Sequence, residues 1–172
     1  LASLIYITVD KTTTGTSNDN EGEEEIVETC GYDACKMQIQ PNKMNIHIVA
    51  HTHDDSGWLS TVDEYYINRV NTILNTVVLE LNDNPNRMFT WVEISFFSRW
   101  WREQSVEKQK MVKRFVKTGQ LQFALGHWTM ADEAVTYYAD VIENAEQGMR
   151  FLEYHFGSTC GRPLVGWQVD PF

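Results

Sequence analysis

The chain has 172 residues, 42% of them hydrophobic, and its 14 basic and 24 acidic residues give a formal charge of −10. This length and apolar content suit one domain with a real core and exclude wholesale disorder. The acidic balance argues against nucleic acid or an anionic membrane surface as a partner, and no apolar run approaches the roughly 20 residues of a membrane span.

The opening run "LASLIYITV" reads as a short strand or as the tail of a secretory signal whose start lies outside the sequence. Residues 10–29 are rich in Thr, Ser, Asn, Gly and Glu and read as a flexible segment, with the acidic run "EGEEE" solvated. Order is expected from about Cys30. "CGYDAC" reads as a disulfide corner, which leaves Cys160 as the odd member of three cysteines.

"MNIHIVA" at 44–50 is apolar and β-branched, so it is a strand candidate. From Val62 the apolar positions step by three and four through Tyr65, Tyr66, Ile73, Leu74, Val77, Val78 and Leu81, which predicts an amphipathic helix ended by "NDNPN". "RMFTWVEI" at 87–94 predicts a second strand, followed by the aromatic cluster "FFSRWW", whose tryptophans suit core packing. "EQSVEKQKMVKRFVKTG" predicts a helix with Ser105 as N-cap and Gly119 as its stop. "LQFAL" at 121–125 is a third strand. A long helix over about 135–155 carries Ile142, Ala145, Met149 and Leu152 on one face, and "PLVGWQV" at 163–169 is a fourth strand. This alternation implies an α/β fold with a mainly parallel sheet, in an open or a barrel form, whose ligands bind at the carboxyl ends of the strands.

Chemistry gathers at those ends. His51, His53 and Asp55 follow the first strand at alternate positions, so an extended backbone aims them the same way. Several ionisable groups at the edge of an apolar core are hard to justify by packing, because each must be paired or desolvated. Mixed imidazole and carboxylate ligation suits zinc, with iron and manganese as lesser options, and Asp170 at the end of the fourth strand is the natural candidate to close the site. The other groups read more plainly. His47 suits a core or sheet position, His155 could complement a helix dipole, and Asp132 with Glu133 suits charge and capping before a helix.

Four stretches in order, "HTHDDSGWLSTVDEYY", "FTWVEISFFSRWW", "WTMADEA" and "GRPLVGWQVDPF", closely resemble the amino-terminal catalytic domain of the class II α-mannosidases, glycoside hydrolase family 38, and most of all its lysosomal type. The resemblance covers about residues 28–172. It implies that 28–172 is the amino-terminal portion of a glycosidase catalytic domain, the first part of a seven-stranded β/α barrel-like fold, with 1–27 as leader. It implies one Zn²⁺ held by His53, Asp55, Asp170 and a distant histidine, with Asp170 also the nucleophile. Trp58 matches the tryptophan that stacks on bound mannose, Phe172 matches a pocket residue, and His51 becomes a candidate for supporting the ligands from behind. Two positions depart from the lysosomal pattern: Ser56 in place of Val, and His127 in place of a second Gly. The expected function is retaining hydrolysis of terminal α-mannose from N-glycan oligosaccharides in the lysosome or secretory route.

The implied acid/base and fourth ligand lie beyond Phe172, so residues 1–172 are expected to need the remainder of their own polypeptide and to be inactive alone. Two other readings are an amidohydrolase-like metallohydrolase using His51 and His53 as an H-x-H pair with Asp170, and a non-catalytic mannose-binding remnant.

Overall fold

The computed structural model describes Cys30, residues 41–132 and residues 137–169. Helix α1 (Val62–Tyr65), a π-helical turn (Tyr66–Val70) and α2 (Asn71–Asp83) form one continuous helical stretch. Strand β1 (Phe89–Trp91), helices α3 (Ile94–Arg102) and α4 (Val106–Thr118), strand β2 (Leu121–Phe123) and the long helix α5 (Tyr138–Cys160) follow. β1 and β2 are parallel, with Phe89 opposite Leu121 and Trp91 opposite Phe123.

Local chemistry explains most of the boundaries. Thr61 starts α1 through a reciprocal capping box with Glu64, a T-x-x-E signal legible in the sequence but not read there. α4 begins and ends as expected: the Ser105 side chain accepts the Lys108 N–H, and Gly119 closes the helix in the left-handed region at φ 80°. α2 stops at the "NDNPN" break, with Asn84 extended.

The sheet is shorter than the sequence suggests. The segment at 44–50 forms no strand; it meets β1 through one parallel bridge, His51 to Thr90, with the Thr90 N–H donating to Ala50 O at 2.9 Å. Met44, Ile46 and Ile48 are exposed, so their alternation serves no described partner. "PLVGWQV" forms no strand either: Pro163 has no N–H to donate, and its described link to the β2 end is Leu125 N–H to Val165 O at 2.8 Å. The parallel α/β reading stands for β1 and β2.

The "FFSRWW" cluster lies in α3, and its tryptophans pack in the core as expected. Phe96, Phe97, Trp100 and Trp101 all point into the core, whereas Arg102 lies exposed. Phe97 is the hub, with rings of Trp100, Trp101, Phe123, Phe151 and Phe156 all within 6.3 Å of it. Burying each such ring removes roughly 150–250 Å² from water, about 4–6 kcal/mol apiece before entropy is counted. α5 covers this cluster with Leu152, while Ile142, expected on the same face, is 62% exposed.

Three further expectations change. Cys30 is bonded to Cys160, joining the first described residue to the end of α5; Cys35 lies outside the described residues. His47 is half-buried outside any strand, and so is not a core histidine. His155 packs on Trp101 and accepts its indole N–H at 3.2 Å, so it is a neutral acceptor and not a cation serving the helix dipole. No helix among the described residues is long and apolar enough to cross a membrane.

Burial, with Lys113 and Arg102 nearby, holds His155 below the ordinary imidazole value. Protonation therefore favours the unfolded chain. Its contribution is complete above about pH 6.5 and is lost as pH falls through the folded value. His155→Gln keeps an acceptor for Trp101 but cannot titrate there. Chemical denaturation of the natural polypeptide should show a smaller loss of stability on acidification for this variant than for the parent; equal losses would refute the assignment.

Candidate metal centre

After the bridge at His51, residues 53–57 form the wall of a pocket of about 200 Å³, whose other wall is Thr129, Met130 and Asp132. His53 and Asp55 meet there, with His53 Nε2 3.1 Å from Asp55 Oδ1 and 3.6 Å from Asp132 Oδ1. One donor atom from each of the three lies within 4.8 Å of the others. All three side chains are about a quarter exposed, so an ion placed between them would remain open to solvent and ligand.

The donor set fits a divalent cation. Ligands held about 2.0–2.1 Å from a tetrahedral ion stand about 3.3 Å apart, close to the separations seen here. Two carboxylates converging on one imidazole also form a like-charge pair that a cation relieves. The residues suit zinc or another borderline ion; the hard all-oxygen shell preferred by calcium does not match.

Each wall is anchored from behind. The Asp54 N–H, between His53 and Asp55, donates to Glu93 Oε1 at 3.2 Å. Glu93 is 1% exposed, and burial, with the Asp54 carboxylate adding, pushes its carboxyl up to about 8. Burial likewise raises Asp54. Ser56 Oγ lies 3.3 Å from Ser95 Oγ, a polar tie to α3. On the other wall, the Asn144 side chain clamps Thr129: its Oδ1 accepts the Thr129 N–H and its Nδ2 donates to Thr129 O, both at 2.7 Å. The His127 carbonyl accepts the Ile94 N–H at 3.2 Å, and burial lowers its imidazole below the ordinary value.

Of the residues expected at the site, His53 and Asp55 come together. His51 does not join that group: its ring stands edge-on to Trp167 at 4.7 Å, and its Nδ1 lies 3.3 Å from Thr52 O. That arrangement does not favour an H-x-H metal pair. Trp58, on the same loop beyond Gly57, is 68% exposed and free to offer its indole face to a ligand. Asp170 and Phe172 lie outside the described residues, as does Glu133. Asp132, expected to serve charge and capping before a helix, stands at the centre six residues before α5. Its only signal in the sequence was its place after the third strand.

α5 reaches the second wall so closely that Gly148 has no room for a side chain. A Cβ there would lie 2.1 Å from Gly126 O and 2.8 Å from Trp128 N.

The N-terminal domain of the glycosyl hydrolases of family 38 matches residues 43–172. The chain is 49% identical over 150 residues to a lysosomal alpha-mannosidase of Cavia porcellus, covering 83% of this chain and 15% of that protein. It is 45% identical over 150 residues to the lysosomal alpha-mannosidase of Homo sapiens, covering 83% and 15% respectively. An alpha-mannosidase of Canavalia ensiformis is 44% identical over 140 residues, covering 77% and 14%. The chain thus spans about 15% of the length of these curated relatives.

Gly148→Ala tests the close contact. Helix propensity alone would stabilise the variant by about 1 kcal/mol, whereas backbone atoms that cannot retreat should cost more, about 1–3 kcal/mol. Denaturation should show net destabilisation; a more stable variant would mean that the wall yields.

Proposed function

This chain belongs to glycoside hydrolase family 38, and from that premise we propose that it is the amino-terminal portion of a zinc-dependent retaining α-mannosidase. The observation that carries the reading is the convergence of His53 and Asp55 donor atoms at one open pocket. In the proposal these two residues and Asp170 hold the ion, with Asp132 adding negative charge beside His53. Zinc, when bound, would supply Lewis acidity toward sugar hydroxyls and hold a carboxylate ionised.

The remaining roles belong to the chain's own residues. Asp170 attacks the anomeric carbon of a terminal α-mannose, so that a carboxylate–carbon bond forms as the glycosidic bond breaks. A second carboxyl group, supplied by the remainder of the polypeptide, protonates the departing oxygen and then takes a proton from the water that attacks the anomeric carbon and releases Asp170. Trp58 offers an exposed apolar face to the C–H side of the sugar ring, and Phe172 is assigned to sugar binding by the family resemblance alone. His51, packed edge-on against Trp167, supports the segment from which His53 projects. The substrates are mannose-containing oligosaccharides of N-glycans. The setting is the lysosome or another station of the secretory route, by similarity to relatives named lysosomal.

The test uses the natural polypeptide and a chromogenic α-mannoside. Asp170→Asn should lower kcat by roughly 10⁴–10⁶-fold, the scale expected for loss of a nucleophile. Removing metal with a chelator should abolish turnover and Zn²⁺ should restore it. Near-normal turnover by Asp170→Asn, or full activity after metal removal, would overturn the assignment.

A further inference from the structure

Glu93 is the most deeply buried carboxyl group in the described residues, and the proposed hydrolysis does not use it directly. It occupies the N-cap position of α3, yet its side chain makes no cap to that helix. Its backbone is held on both sides: its carbonyl accepts the Trp91 indole N–H at 2.9 Å, and the next amide, Ile94 N–H, is bound to His127 O. With the main chain so fixed, the carboxyl turns the other way, and Oε1 accepts the Asp54 N–H across 39 residues of sequence. The second oxygen, Oε2, is buried with no hydrogen-bond partner among the described residues. Burying a carboxyl in this manner carries a desolvation penalty that a fold has no reason to keep unless the contact does something.

What the contact holds is the peptide between His53 and Asp55. Those residues, two positions apart on the same loop, bring their donors together at 3.1 Å. The Asp54 amide is the described point at which that stretch is tied to the core by a buried side chain. We propose that Glu93 is a positioning residue of the metal centre, setting the backbone at Asp54 so that His53 and Asp55 present a preformed pair to one ion. The inference rests on the metal reading given above. It goes beyond that reading in assigning a role to a residue that touches neither ion nor sugar. Because it needs only an acceptor at Oε1, a neutral amide oxygen should serve as well as a carboxyl oxygen.

The experiment is Zn²⁺ affinity, measured by competition with a chromogenic chelator on the natural polypeptide, alongside thermal unfolding of the metal-free forms. Glu93→Gln keeps the acceptor and should bind Zn²⁺ within about threefold of the parent. Glu93→Ala removes it and should bind about 10–100-fold more weakly, the usual effect of losing an outer partner of a metal ligand. Where the alanine variant does not fold, Glu93→Asp takes its place, because it keeps the carboxyl but withdraws it by one methylene; the same loss is expected. Parent-like affinity in a folded Ala or Asp variant overturns the inference, and so does a Gln variant as weak as Ala. His53→Ala separates the two levels of the argument. If the parent binds Zn²⁺ no better than His53→Ala, the metal reading falls and this inference with it. If His53→Ala alone loses the ion, only the role of Glu93 is refuted.

Discussion

The first two amide groups of α3 hold the two walls of the pocket together. Ile94 N–H donates to His127 O and Ser95 N–H to Trp128 O, at 3.2 and 2.8 Å. A helix leaves its leading N–H groups without partners inside the helix, and here they find them on the loop that follows β2. The end of β1 and the end of β2 are thereby joined above the sheet. Everything at the candidate centre hangs from that joint: Glu93 precedes it and reaches Asp54, Ser95 within it meets Ser56, and the 127–132 loop leads to Asp132.

Magnitudes divide the labour. Each backbone hydrogen bond contributes a net ~0.5–1.5 kcal/mol, far less than the burial of any one ring on α3. The aromatic face therefore decides that α3 lies against β2 and α5, with Phe97 at the middle of the cluster. The weaker polar contacts decide its angle and height, and so where the loops end. Gly148 permits α5 to press on the same loop, and Asn144 fixes Thr129 from that helix. A catalytic or binding constellation gains its accuracy from this kind of backing, where side chains are held by packed elements and not by their own loops.

The sequence disclosed whatever depends on local chemistry. Ser105 and Gly119 bound α4 as the capping rules require, and the period of three and four found the helix from Val62. His53 and Asp55 stood out because charge beside an apolar run has few structural reasons. What stayed hidden depends on distant partners. "ISFFSRWWR" sets Ser95, Arg99 and Arg102 on one face at helical spacing, but nine residues are too few for that period to stand out, and the strand reading ran on to Ile94. Asp132 becomes a site residue only once Asn144 and α3 have placed its loop. Cys160, 130 residues from Cys30, was harder to pair than the nearby Cys35. The extended stretches at 44–50 and 163–169 have strand composition without a described ladder, because composition specifies a face and not a neighbour.

The central claim is that packing of α3 brings His53 and Asp55 to a single ion. Zinc-edge X-ray absorption on the natural polypeptide, with His53→Ala alongside, addresses it most directly. The account predicts a first shell of nitrogen and oxygen near 2.0–2.2 Å, with imidazole back-scattering that falls in the variant. A shell containing sulfur near 2.3 Å, or one unchanged by His53→Ala, would contradict it.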